Sequence, residues 1–156
     1  MKAPVAAKTA SRGTAVAPTV LMVDDEPMML RSLEREFRRS PCQVLTAAGP
    51  IEALRILGSR LVHVLITDHR MPQMTGSDLI RKASELQPGI RSVVLSATPD
   101  EARKHIGETT PVLPKPWSRS ELFRLVFGAT PQELSRALQP PSPAPVPVRV
   151  NDLGRR

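Results

Sequence analysis

Five short apolar runs divide the chain: Thr19–Val23, Gln43–Ala47, Val62–Thr67, Arg91–Leu95 and Pro111–Leu113. Between them, apolar residues recur at spacings of three and four, the period of a helix with one buried face. The third run is the most informative. Val62, Val64, Leu65 and Ile66 stand together without strict alternation, as expected of a parallel strand buried on both sides. The run ends on a carboxylate, Asp68, and a tight loop through Met71-Pro72 to Gly76 follows.

The intervening segments carry helix starts and stops. Pro27 suits a first turn, and the acidic residues before it favour the positive end of a helix dipole. That helix is predicted to about Arg39, with Met29, Leu30, Leu33 and Phe37 as its stripe. Gly49-Pro50 opens a second helix through Leu57, with Ile51, Leu54 and Leu57 on one face. A third runs from about Ser77 to Leu86 and stops at Pro88-Gly89. Thr98, Pro99 and Glu101 start a short fourth helix that Gly107 ends. Ser118 and Glu121 read as a capping box for a fifth, with Leu122, Leu125 and Val126 inward and Gly128 as its stop. Thr130, Pro131 and Glu133 repeat the pattern for a last short helix to about Leu138.

Strands that alternate with helices form a parallel sheet covered on both faces. The natural topology at this length is α/β, a flavodoxin-like doubly wound five-stranded sheet of order 2-1-3-4-5. The predicted domain spans residues 19–138. Residues 1–18 read as a disordered basic lead-in. Residues 139–156 open with QPPSPAPVPVRV, a polyproline-type tail that cannot fold an output domain of its own. That tail is a linker or a ligand for an aromatic groove.

Composition changes this picture only in places. One Trp, three Phe and no Tyr predict an aliphatic core. No apolar run is long enough for a membrane span, and no h-region follows Lys2 and Lys8, so the expected location is cytoplasmic. The single Cys42 reads as a small residue buried beside a strand. The net charge of +7 suggests nucleic acid, but Lys2, Lys8, Arg12, Arg149, Arg155 and Arg156 against Asp152 put +5 of it in the two ends. The folded part is not a basic domain, and no direct DNA binding is expected.

In a 2-1-3-4-5 sheet the carboxyl ends of the strands lie along one edge, where ligands bind in open α/β folds. Those ends carry Asp24 and Asp25, Asp68, Ser96 and Lys115. Three crowded carboxylates repel one another unless a cation joins them. Mg²⁺ fits, because it takes one or two carboxylates, waters and a phosphate oxygen. An anionic phosphoryl donor can then approach Asp68, with Lys115 and Ser96 to stabilise charge on the transferred oxygens.

Four pieces of the sequence resemble the receiver domain of two-component response regulators. They are Val23-Asp24-Asp25-Glu26-Pro27, the stretch Asp68-His69-Arg70-Met71-Pro72-Gln73-Met74-Thr75-Gly76, Leu95-Ser96-Ala97, and Leu113-Pro114-Lys115-Pro116-Trp117. The resemblance covers about Thr19 to Phe127. It implies Asp68 as phosphoacceptor, with Ser96 and Lys115 as its hydroxyl and ammonium partners. It implies Asp24, Asp25 and Asp68 as Mg²⁺ ligands, joined by the Arg70 backbone carbonyl. It implies a cis Lys115–Pro116 bond. The donor would be a phosphohistidine on a sensor histidine kinase or phosphotransfer protein, and the output a downstream protein effector.

Two departures from the family are visible. Val112 stands where receivers often carry a Tyr or Phe that swings inward, so the signal must leave by another packing change or surface. The segment from Ser96 to Lys115 is a few residues short, which shrinks the fourth helix. Arg70 and Thr98 lie where side chains reach the phosphoryl group and its attacking water. Among the other residues, His69 is expected to point to solvent, and His63 and His105 receive no role. Trp117 either anchors a partner or lies against the domain. Four other readings stay open: a phosphorelay intermediate or phosphate sink, an adaptor acting through its basic tails, a Mg²⁺-dependent phosphohydrolase with Asp68 as nucleophile, and a fragment of a longer regulator.

Overall fold

The computed structural model describes residues 17–139. The tails expected at residues 1–18 and 139–156 lie almost wholly outside these residues. Five parallel strands form one sheet of order β2-β1-β3-β4-β5. The strands are β1 (Thr19–Val23), β2 (Gln43–Ala47), β3 (Val64–Asp68), β4 (Arg91–Ser96) and β5 (Val112–Pro114). The helices are α1 (Pro27–Phe37), α2 (Pro50–Ser59), α3 (Gly76–Leu86), α4 (Pro99–His105), α5 (Arg119–Phe127) and α6 (Pro131–Ala137). The flavodoxin-like topology expected from the alternation is therefore present.

Burial on both faces explains the apolar runs. β1 and β3 are buried at every residue. Their alternate side chains enter different layers, as the pleat requires. Val20, Met22, Val64 and Ile66 meet Leu33 and Phe37 of α1 and Leu122, Phe123 and Val126 of α5. Leu21, Val23 and Leu65 meet Ala53 and Leu57 of α2 and Leu79 and Ala83 of α3. Val94 and Val112 meet Ala102 and Ile106 beside α4 in a smaller cluster.

Several details differ from the sequence reading. The β3 run begins at Val64, not Val62, because the Val62 N–H is taken by the Gln87 side chain at 2.9 Å. Ile51 is 52% exposed, and α2 buries Pro50, Ala53 and Leu57 instead. Phe123 joins the buried face of α5, while Leu125 is only partly covered. The core is less aliphatic than expected, since Phe37, Phe123 and Phe127 pack together with ring centroids 4.8–5.8 Å apart. Cys42 is half-buried, and burial pushes its thiol up to about 11. At α5 only half of the capping box forms, with Ser118 Oγ accepting from the Glu121 N–H. At α6 both halves form, between Thr130 and Glu133. Gly128 closes α5 at φ 73°, a left-handed value that glycine adopts without strain.

Candidate functional site

The polar residues at the strand ends converge as the topology requires. Asp24 follows β1, Asp68 closes β3, Ser96 closes β4, and Lys115 follows β5. The register fixes them: Asp68 pairs with Leu95, and Ser96 pairs with Pro114. The Lys115 N–H donates to the Ser96 carbonyl at 2.8 Å. This carries the sheet ladder one residue further and aims the lysine across the edge. The Lys115–Pro116 bond is cis, as the resemblance implies.

Lys115 Nζ lies 2.7 Å from an Asp68 carboxylate oxygen and 3.0 Å from one of Asp24. Carboxylate oxygens of Asp24, Asp25 and Asp68 all lie within 4.8 Å of one another. Asp24 and Asp68 are buried, and Asp25 is exposed at the mouth. The second Asp24 oxygen accepts from the Glu26 N–H at 2.9 Å, which fixes the β1–α1 turn. One ammonium against three carboxylates leaves the pocket short of positive charge. A hard divalent ion with oxygen ligands answers that deficit, so the donor set fits Mg²⁺.

Proton affinities follow the same charge imbalance. Burial raises the Asp68 carboxyl above its ordinary value, and Asp24 adds to this, while the Lys115 hydrogen bond and charge pull the other way. Burial works against the Lys115 ammonium too, but its contacts with Asp68 and Asp24 outweigh that and raise it overall. Both groups hold protons more firmly than they do in water, as expected of a pocket with excess negative charge.

The loop after Asp68 is held close. The His69 N–H donates to the Leu95 carbonyl, and the Gly76 N–H returns to the His69 carbonyl at 2.8 Å. A Cβ at Gly76 would sit 2.4 Å from the Asp68 carbonyl oxygen. Only glycine therefore allows α3 to start this near the carboxylate. Thr75 caps the helix through the Asp78 N–H.

Ser96 is buried, and its Oγ accepts from the Thr98 N–H at 3.0 Å. Arg70 stands two residues after Asp68, but its side chain leaves the carboxylates and pairs with Glu101 of α4. In the sequence, Glu101 marks only a helix start. His69 corrects a second expectation: it is 4% exposed rather than turned to solvent. Its ring stacks on His105 with centroids 6.1 Å apart, and burial holds its imidazole below the usual value. No sequence signal marks that pairing, because α4 approaches β3 only in the folded chain. Trp117 lies against the domain, donating from Nε1 to Glu36 at 3.0 Å. Val112 is buried against Val94, Ala102 and Ile106.

Known proteins resemble this chain in sequence and in fold. A family model described as the response regulator receiver domain matches residues 20–127. The transcriptional regulatory protein GlrR of Escherichia coli (strain K12) is 30% identical over 116 residues, 72% of this chain and 26% of that protein. The two-component response regulator ORR3 of Oryza sativa is 41% identical over 69 residues, 44% of this chain and 53% of that protein. The signal receiver domain of an HD domain-containing protein from Pseudomonas fluorescens Pf-5 is similar in structure. Its TM-score is 0.67 at 27% identity, and the match covers 78% of this chain and 98% of that one. The chain thus spans about a quarter of the length of GlrR. With its sheet order, its acidic cluster and a family match over residues 20–127, the chain belongs to the response regulator receiver domains.

Proposed function

We propose that Asp68 accepts a phosphoryl group from a phosphohistidine on a sensor histidine kinase or phosphotransfer protein. The observation that carries this reading is one arrangement: a buried carboxylate at a strand end, 2.7 Å from Lys115 Nζ and within 4.8 Å of Asp24 and Asp25. An Asp68 oxygen attacks phosphorus, the P–N bond breaks, and its electron pair returns to the donor imidazole, which takes up a proton. Phosphoryl transfer asks the protein mainly for positioning and charge stabilisation.

Each neighbour has a task in that step. Asp24, Asp25 and Asp68, with the Arg70 backbone carbonyl, would hold Mg²⁺. When bound there, Mg²⁺ would offset the carboxylates and the charge of the phosphoryl group. Lys115 pairs with charge on the transferred group. Ser96 Oγ, whose acceptor side is engaged by Thr98, keeps its hydroxyl hydrogen for a phosphoryl oxygen. Chemistry ends with self-catalysed transfer and hydrolysis, so the chain acts as a switch or relay and not as an enzyme on a free substrate. Its output is a contact with a downstream protein effector. We assign the receiver to residues 19–138.

Intact mass after incubation with Mg²⁺ and acetyl phosphate tests the reading. A gain of about 80 Da, one phosphoryl group, is expected in the wild type and not in Asp68→Ala. A gain that persists in Asp68→Ala overturns the assignment. No gain in either, with Mg²⁺ shown to bind, leaves a receiver scaffold that does not switch by phosphate.

A further inference from the structure

α6 (Pro131–Ala137) lies beyond residues 20–127, the part of the chain that the family model matches. Local sequence starts it, through the Thr130–Glu133 capping box and Pro131 in its first turn. A helix this short is held mainly by packing, not by its own hydrogen bonds. Here the packing is incomplete. No residue of α6 is buried. Leu134 is only partly covered by the core, and Leu138, just past the helix, is 60% exposed.

The gap is a cavity of about 360 Å³ between α6, α5 and the chain that leaves α1. Phe123, Pro131, Leu134 and Leu138 form an apolar side, and Arg39 and Arg119 a charged one. The other lining residues are two serines and a glutamine, so no carboxylate faces the two arginines. Among the described residues neither arginine forms a salt bridge, whereas Arg70, Arg81 and Arg103 do. Arg119 donates once, to the Glu36 carbonyl at 3.0 Å, and its guanidinium lies 4.9 Å above the Phe123 ring. That contact orients the group and leaves most of its N–H donors free. The Glu36 carboxylate accepts instead from Trp117 Nε1.

Unmatched positive charge beside an apolar wall selects an occupant that carries both complements. A carboxylate can take paired N–H bonds from a guanidinium, and an apolar side chain can cover Leu134 and Leu138. Single-stranded nucleic acid answers the charge alone, since its bases need an open aromatic face and Phe123 is 2% exposed. The chain's own residues 140–156 have the wrong sign, with Arg149, Arg155 and Arg156 against Asp152. A second copy docked face to face would set these arginines against their own counterparts.

We propose that this cavity docks a segment of a partner protein in which Asp or Glu stands beside Leu, Ile or Phe. The place is separate from the acidic cluster: α1 starts next to Asp24 and Asp25 and runs eleven residues, about 16 Å, before the chain reaches Arg39. The inference goes beyond the phosphoryl reading and stands whether or not Asp68 is an acceptor.

The test selects a phage-displayed random heptapeptide library on the full chain at low ionic strength, then maps one synthetic hit on the ¹⁵N-labelled protein. Enriched peptides should join Asp or Glu to Leu, Ile or Phe. Amide shifts should cluster at Arg39–Ser40, Arg119–Phe123 and Leu134–Gln139. Arg39→Glu should raise Kd about tenfold or more, and Arg39→Lys by less, because lysine keeps the charge. Leu138→Ser, which touches only the apolar side, should raise Kd about threefold or more. Both positions are exposed, so the thermal midpoint should not move. The proposal fails if nothing enriches, if the hits are basic or uncharged, if the shifts fall elsewhere, or if Arg39→Glu binds like the wild type. It also fails if, in the free protein, Leu134 and Leu138 show nuclear Overhauser contacts to residues 140–150 or to a second copy, which would then be the occupant.

Discussion

On the face covered by α1 and α5, the sheet meets three phenylalanines and a continuous core that runs from Val20 to Val126. On the face covered by α2, α3 and α4, the core breaks into two clusters of smaller residues, the second holding four buried side chains. The three unpaired buried side-chain atoms among the described residues belong to His69, Ser77 and Ser92, on this second face. So do the His69–His105 stack and the Arg70–Glu101 pair. The difference teaches where change is cheap. Dense aromatic packing fixes the α1/α5 side, while α4 rests on few apolar contacts and on polar contacts with the loop that follows Asp68. Local opening concentrates in regions of that second kind.

The largest effect that would break this comparison is at Phe37. Phe37→Ala should cost about 3–5 kcal/mol, a large part of a domain's stability, while Ile106→Ala beside α4 should cost nearer to about 2 kcal/mol. Urea unfolding with an unchanged m-value checks both. Equal losses would erase the distinction between the faces.

Gly76→Ala comes next. Its Cβ meets backbone, not a flexible side chain, so α3 or the end of β3 must shift. A cost of about 1–3 kcal/mol is expected, in the range of an overpacked core site. Phosphoryl incorporation should slow as well, because the carboxylate moves. Stability and acetyl phosphate labelling at wild-type levels would show that the close approach is not needed.

The smallest effect sharpens the electrostatic side. Burial raises the Asp68 carboxyl, so a proton displaces a bound cation at higher pH than at an exposed aspartate. Mg²⁺ affinity, followed by calorimetry, should therefore fall on acidification before the ordinary carboxylate range is reached. The sign for stability is the reverse. A carboxyl whose folded pKa is raised loses stability as pH rises, so Asp68→Asn should fold at least as stably as the wild type at neutral pH. A lower melting midpoint in Asp68→Asn at pH 7 would contradict the raised value.

Periodicity and punctuation determined most of the fold. β1 and β2 have their predicted bounds, and the other elements shift by a few residues at most. The strand order followed from parallel pairing and short right-handed crossovers. The convergence of Asp24, Asp25, Asp68, Ser96 and Lys115 was legible because strand ends share one edge whatever the side chains do. Tertiary packing decided what lies between elements distant in sequence. Which face of α2 turns inward depended on the sheet beneath it, and Ile51 lost to Ala53. Whether His69 met water depended on α4 settling over it, and Arg70 found Glu101 31 residues away. Local sequence encodes backbone preference and period. It does not encode which side chains from separate elements come within a few ångströms, and that is where the histidine stack and the charge pairs arise.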